Sequence, residues 1–237
     1  MLAAARLRVP YATPEVTPPV AGYVGWWDAS DASSITQSSG AVSQWADKSG
    51  NSKHLAQSTG SAKPTTGAVT QNGLNVLSFD GGDALVGPRP HSALPLTWFV
   101  VAVNDETGGT QRTLMAMRDA GSGDTRLYRT GGDKIASYDG GGGTAGSTSW
   151  STTAHMISWT YAADSNQELF ADAASQGSRL GNATPTWNAT NWTVGGLSSS
   201  EELWLGKIGE IIAYGSVLGT TDRQSVEAYL TAKWGTP

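Results

Sequence analysis

The sequence predicts an all-β molecule, an antiparallel sandwich of two sheets closed by one short C-terminal helix. Three observations predict it. Strand-sized apolar runs recur along the chain, glycine-rich turns separate them, and one segment near the end has helical periodicity instead of alternation.

The 237 residues fit one large all-β domain. Apolar residues make up 38% of the chain and charged residues only 15%, so Ser, Thr, Gly and Asn supply the polar surface. That mix suits short strands joined by tight turns. Ten Trp stand against three Phe. Trp buries a large area and carries one N–H, which serves sandwich cores and sugar-stacking surfaces alike. A net charge of −5 without a basic cluster excludes the electrostatic footprint of a nucleic-acid binder. The absence of cysteine excludes a disulfide framework and thiolate metal sites. No run reaches the length of a membrane span, so membrane insertion is not expected. The opening Met1–Pro10 lacks the order of a signal peptide, because its arginines follow the short apolar stretch.

Residues 1–20 hold Pro10, Pro14, Pro18 and Pro19 and read as an extended Pro-rich arm, either a free tail or a clasp on a neighbouring subunit. The domain proper, residues 21–237, opens with Gly22–Trp27. Strands are then expected at Leu74–Phe79, Leu96–Val103, Thr113–Met117, Arg126–Tyr128, Ile135–Tyr138, Met156–Tyr161, Glu168–Phe170, Trp192–Val194 and Leu203–Tyr214. Leu96–Val103 is nearly all apolar and does not alternate, so it belongs at the centre, covered on both faces. A loop, the terminal helix or a partner must supply the second cover. The helix itself is predicted after Thr221, with Thr221 and Gln224 as a capping box and Val226, Tyr229, Leu230, Lys233 and Trp234 on one face. Gly235 ends it in a left-handed cap.

Three segments carry a family resemblance. Val24–Ser30, Val42–Asn51 and Leu74–Gly81 resemble the opening of concanavalin A-like/laminin-G-like jelly-roll domains, in the version found in tailed-phage virion proteins and bacterial surface proteins. The close, Gly209–Tyr214 followed by the helix through Gly235, is similar to the same domains. The resemblance spans residues 22–235 and implies a jelly-roll fold, binding of carbohydrate or protein, frequent help from calcium, and use as a virion or adhesin module. The expectation is therefore a non-enzymatic virion structural protein of a tailed bacteriophage, a capsid decoration or tail-fibre subunit. Its partners would be other virion proteins, copies of itself and host surface glycan. The alternative is a free-standing carbohydrate-binding module or adhesin domain.

Candidate sites follow, each with a competing structural role. Asp47 and Asn51 share a tight loop with Ser49, which suits either a calcium site rich in oxygen ligands or a self-bonded Asx turn. Asp80 and Asp83 flank a Gly-Gly pair and read as a hairpin turn, or as further ligands if that turn meets Asp47. Trp187, Trp192 and Tyr161 form either a sugar-stacking platform or part of the core. Catalytic signals are poor. The alternating E-x-D-x-E pattern of sandwich glucanases is missing, Glu210 is a lone acid, and His54, His91 and His155 are scattered.

Overall fold

The computed structural model describes residues 17–118, 124–164, 166–179 and 190–237. They form a large antiparallel sheet, nearly closed into a barrel, and one helix. In chain order the strands are β1 (Tyr23–Asp28), β2 (Ile35–Ser38), β3 (Ala41–Trp45), β4 (Leu55–Ala56), β5 (Thr65–Gln71), β6 (Leu74–Asp80), β7 (Leu85–Pro88), β8 (Leu96–Asn104) and β9 (Arg112–Arg118). They continue as β10 (Asp124–Arg129), β11 (Lys134–Tyr138), β12 (Gly143–Ser149), β13 (His155–Tyr161), β14 (Gln167–Ala171), β15 (Ala174–Arg179), β16 (Asn191–Val194) and β17 (Leu205–Tyr214), and the helix α1 (Thr220–Trp234) follows. The proposed arm lies mostly outside the described residues. Of its last residues, Val20 packs on the domain and accepts the Tyr214 hydroxyl at 2.8 Å.

The pairing has two runs. In one, β17 lies between β8 on one side and β1 and β6 on the other, and the ladder goes on through β13 and β14 to β15. In the other, β2, β3, β4, β7, β16, β9, β10, β11 and β12 follow in that order. Among the described residues the runs are bridged where β5, the partner of β6, meets β3 at Ala41 and Thr65. At the far ends β12 and β15 lie side by side, and the Gln176 carboxamide accepts the Thr148 N–H at 2.8 Å.

The largest buried cluster joins inward residues of both runs. Leu96, Trp98, Val100 and Ala102 of β8 meet Leu85, Leu114, Leu127 and Trp192 there. The other face of β8, with Phe99 and Val101, forms a second cluster with Trp26, Met156, Ile212, Val226, Leu230 and Trp234. All nine residues of β8 are therefore buried, as its unbroken apolar sequence requires, and the cover for its second face is α1.

The helix face is the one the spacing predicts, but the start differs. Thr220 is already helical, Gly219 is the N-cap without a side-chain bond, and the Arg223 N–H bonds the Gly219 carbonyl at 2.9 Å. Thr221 thus sits inside the first turn and the capping box does not form. Gly235 is left-handed (φ 65°) and bonds the Thr231 carbonyl, as expected. The final carbonyls have a further cap from the β5–β6 hairpin: Gln71 Nε2 bonds Trp234 O and Asn72 Nδ2 bonds Lys233 O, each at 3.0 Å.

Beneath the helix, Glu210 of β17 is fully buried and accepts from four donors. Trp26 Nε1 (2.8 Å) and the Tyr229 hydroxyl (2.9 Å) reach Oε1, while Lys233 Nζ and Trp234 Nε1 (both 2.8 Å) reach Oε2. Lys233 also reaches Asp28 Oδ2 at 2.7 Å. Burial pushes the Glu210 carboxyl up, the Asp28 charge adds to this, and Lys233 opposes it. Gly209 makes room for the arrangement, since a Cβ there would lie 2.8 Å from the Trp234 ring.

Two substitutions test this docking by urea denaturation. Trp234→Ala is expected to cost about 3–5 kcal/mol, through the cavity it leaves between helix and sheet. Lys233→Met is expected to cost a similar amount, about 3–5 kcal/mol, because Glu210 stays buried without its cation and Asp28 keeps only Lys48, at 3.7 Å.

Candidate functional site

The outward face of β9, β10 and β11 gathers aromatic and charged groups. Period-two alternation in β10 turns Thr125, Leu127 and Arg129 inward and leaves Asp124, Arg126 and Tyr128 partly exposed. Antiparallel register sets Tyr138 of β11 directly opposite Arg126, and Thr113 of β9 opposite Tyr128. The Arg126 guanidinium carbon lies 4.7 Å from the Tyr128 ring centre and 5.3 Å from that of Tyr138. Two partly exposed tyrosine rings therefore flank one cation. Gly143 pairs with Tyr138, and a Cβ there would stand 2.6 Å from the Ser137 carbonyl, so no side chain can rise between the rings.

Carboxylates complete the rim. Arg126 Nε pairs with Asp124 at 2.9 Å and Nη1 with Glu202 at 2.6 Å. Glu202 also accepts from the Thr113 hydroxyl (2.7 Å) and from Gln111 Nε2 (3.1 Å). Its backbone is left-handed, with φ at 48°, a conformation a glutamate adopts only where its surroundings enforce it. Burial pushes the Tyr128 hydroxyl up, and the Arg126 charge opposes this. The face thus combines flat apolar rings, donors that only donate and carboxylates that only accept.

The sites expected from sequence fare differently. Trp192 and Tyr161 do not form a platform, because both are buried. The Trp192 ring lies 5.0 Å from those of Trp27 and Trp98 in the core, and the Tyr161 hydroxyl is spent on buried Asp139 at 3.2 Å. Trp187 lies outside the described residues. Tyr128 and Tyr138, two of the partly exposed rings, sit in strands the sequence located. The signal for them was the Arg-x-Tyr alternation of β10, which puts both side chains on the outward face.

The calcium reading of the Asp47 loop does not fit the geometry. Asp47 Oδ1 accepts from Trp26 N (3.0 Å) and Ser49 N (2.9 Å), and Oδ2 accepts from Ser49 Oγ and Lys53 N (both 2.9 Å). With four donors its oxygens are spoken for. Asn51 turns its amide N–H toward Val24 O (3.2 Å) instead of offering an oxygen. Asp80 and Asp83 also close on themselves: Asp80 Oδ1 accepts the Gly82 N–H at 2.8 Å and Asp83 Oδ2 the Asp80 N–H at 2.9 Å. Among the described residues no group of three or more His, Asp or Glu is placed to hold a metal ion.

No family model matches the chain, and no curated protein matches it in sequence. Solved structures do match its fold. The sialidase of Trypanosoma rangeli, in complex with sialic acid, superposes with a TM-score of 0.66 at 15% identity, covering 93% of this chain and 35% of that one. Domain 4 of an extracellular arabinanase from Geobacillus stearothermophilus, in complex with arabinotriose, gives 0.65 at 10% identity over 87% of this chain and 98% of that domain. The binding domain of Paraclostridial Mosquitocidal Protein 1 gives 0.66 at 13% identity, covering 91% of this chain and 55% of that one. The chain spans about a third of the length of the sialidases it matches. These likenesses show that the β fold is shared with parts of a sialidase, an arabinanase domain and a toxin's binding domain. They also correct the expectation of a tailed-phage virion subunit, since the matched folds belong to sialidases, an arabinanase domain and a toxin's binding domain and give no phage link.

Asp83 carries a pH signature. Burial raises its carboxyl to about 6, the Asp80 N–H bond opposes this, and the Asp80 charge adds to it. A carboxyl neutral up to about pH 6 when folded, but only up to its ordinary 3.8 when unfolded, makes folding take up a proton. This contribution to stability is full below pH 3.8 and is lost as pH rises through about 6. Asp83→Asn is therefore expected to gain stability relative to the parent as pH rises over that interval, and to show a constant difference above it. Urea melts at half-unit pH steps measure this.

Proposed function

We propose that the chain is a carbohydrate-binding module built as a two-sheet jelly-roll sandwich, which takes an oligosaccharide across the Tyr128–Tyr138 face. The observation that carries the reading is the pair of partly exposed tyrosine rings flanking Arg126, with Glu202 and Gln111 at the rim. The C–H faces of a sugar ring pack on aromatic rings. Sugar hydroxyls both donate and accept, so they suit a rim where guanidinium and carboxamide N–H groups alternate with carboxylate oxygens. Strands hold the rings, so little side-chain freedom is lost on binding. The two runs of paired strands are read as the two layers of the sandwich, with the larger cluster between them. The arabinanase domain solved with arabinotriose matches over nearly its whole length, which supports a module of this size as a sugar binder. The Asp47 carboxylate is engaged by its own loop, so the proposed binding is expected to need no metal there.

A glycan array probed with the whole chain, followed by titration calorimetry with the best glycan and with arabinotriose, tests the proposal. Saturable binding is expected, unchanged by EDTA. Tyr128→Ala and Tyr138→Ala should each weaken it about tenfold, equal to about 1.4 kcal/mol, without moving the melting temperature. A blank array removes the function, and undiminished binding by the double variant removes the site.

A further inference from the structure

A second constellation lies apart from the tyrosine face, in the segment between β12 and β13. Ser151 Oγ stands 3.0 Å from His155 Nε2, and His155 Nδ1 stands 2.6 Å from Asp172 Oδ2. The other Asp172 oxygen accepts the Met156 N–H at 3.0 Å, which fixes the carboxylate against β13. His155 is buried and packs edge-on against Trp150, with ring centres 5.9 Å apart. Ser151 is partly exposed, and Thr152 and Thr153 beside it are exposed.

The hydrogen bonds form one directed chain. With Nδ1–H donated to Asp172, the neutral tautomer of His155 leaves Nε2 facing the serine hydroxyl as an acceptor. Ser151 in turn accepts from the Thr153 N–H at 3.4 Å and lies 2.6 Å from the Thr153 hydroxyl. Asp172 is placed by the β14–β15 hairpin, whose turn residues Asp172 and Ala173 are both left-handed, with φ of 50° and 62°. Two successive left-handed residues are the geometry of a two-residue hairpin turn, which carries the Asp172 carboxylate back against β13.

We propose that Ser151 and His155, positioned by Asp172, form an acyl-transfer site that hydrolyses esters of small carboxylic acids. The open surface at Ser151 to Thr153 suits a short acyl group. Ser151 Oγ bonds to the ester carbonyl carbon and gives its proton to His155 Nε2. The bond from that carbon to the alcohol oxygen breaks, and the proton leaves with the alcohol. Water then adds to the acyl carbon, giving one proton to His155 Nε2; the bond from that carbon to Oγ breaks, Oγ takes the proton from Nε2, and the carboxylic acid leaves. The Thr153 N–H and hydroxyl bond Oγ itself and hold the serine side chain in place.

The test uses the whole chain with diisopropyl fluorophosphate, read by intact mass and peptide mapping, and with p-nitrophenyl acetate as the ester. One adduct at Ser151 is expected, absent in Ser151→Ala and formed about 100-fold more slowly in His155→Gln. Asp172→Asn, a residue type that tolerates the same turn, should lower kcat for the ester and leave KM unchanged. Should His155→Gln fail to fold, Asp172→Asn carries the comparison. An unmodified Ser151 in the folded parent overturns the proposal, as does labelling at the parent rate in the folded variants.

Discussion

Two central strands without a wet face impose the constraint from which the architecture follows. Every residue of β8 is buried, and its neighbour β17 is buried through most of its length. A sheet with both faces dry needs a cover on each side. The opposing strands provide one, and α1 must provide the other. The helix brings Val226, Leu230 and Trp234 to that task, and Lys233 drops its ammonium between Glu210 and Asp28 beneath them. Apolar burial supplies most of the attraction, while the buried ion cluster sets the position, because only one placement satisfies all four donors to Glu210. The Asn72–Gly73 turn then holds the helix end, so the last element of the chain is bound to one of the early hairpins.

Much of this was legible in the residues. Every apolar run read as a strand corresponds to one, since burial writes itself into composition. The doubly covered strand was visible in Leu96–Val103, and the helix face was visible in the spacing of its apolar residues. The strands not anticipated are four short ones, Ile35–Ser38, Ala41–Trp45, Leu55–Ala56 and Leu85–Pro88, and three polar ones. Thr65–Gln71, Gly143–Ser149 and Ala174–Arg179 each keep a largely exposed sequence rich in Gly, Ser and Thr, and only their neighbours in space make them strands. The helix start was misplaced for a related reason, because docking sets where it begins while the capping signal is a local preference.

The sites were harder to read. Composition cannot tell a core tryptophan from an exposed one, and Trp192 fell on the buried side. Tyr128 and Tyr138 meet only through the register of β10 and β11, and Glu202 reaches them from a segment more than sixty residues further along the chain. Ser151, His155 and Asp172 come together across a turn and a neighbouring hairpin. Their spacing in sequence matches no motif, so only coordinates bring them onto one line.

The tyrosine face divides its labour between two kinds of backbone. Its rings stand on paired strands whose inner residues are locked in the core, whereas Glu202 comes from an irregular connection just before β17. Glu202 can be exchanged at that margin while the strands beneath the rings keep their core residues, although Trp204, two residues on, is itself buried in the core. The rings and their charged rim are thus held by separate parts of the backbone, so the margin can be remodelled while the aromatic floor stays in place.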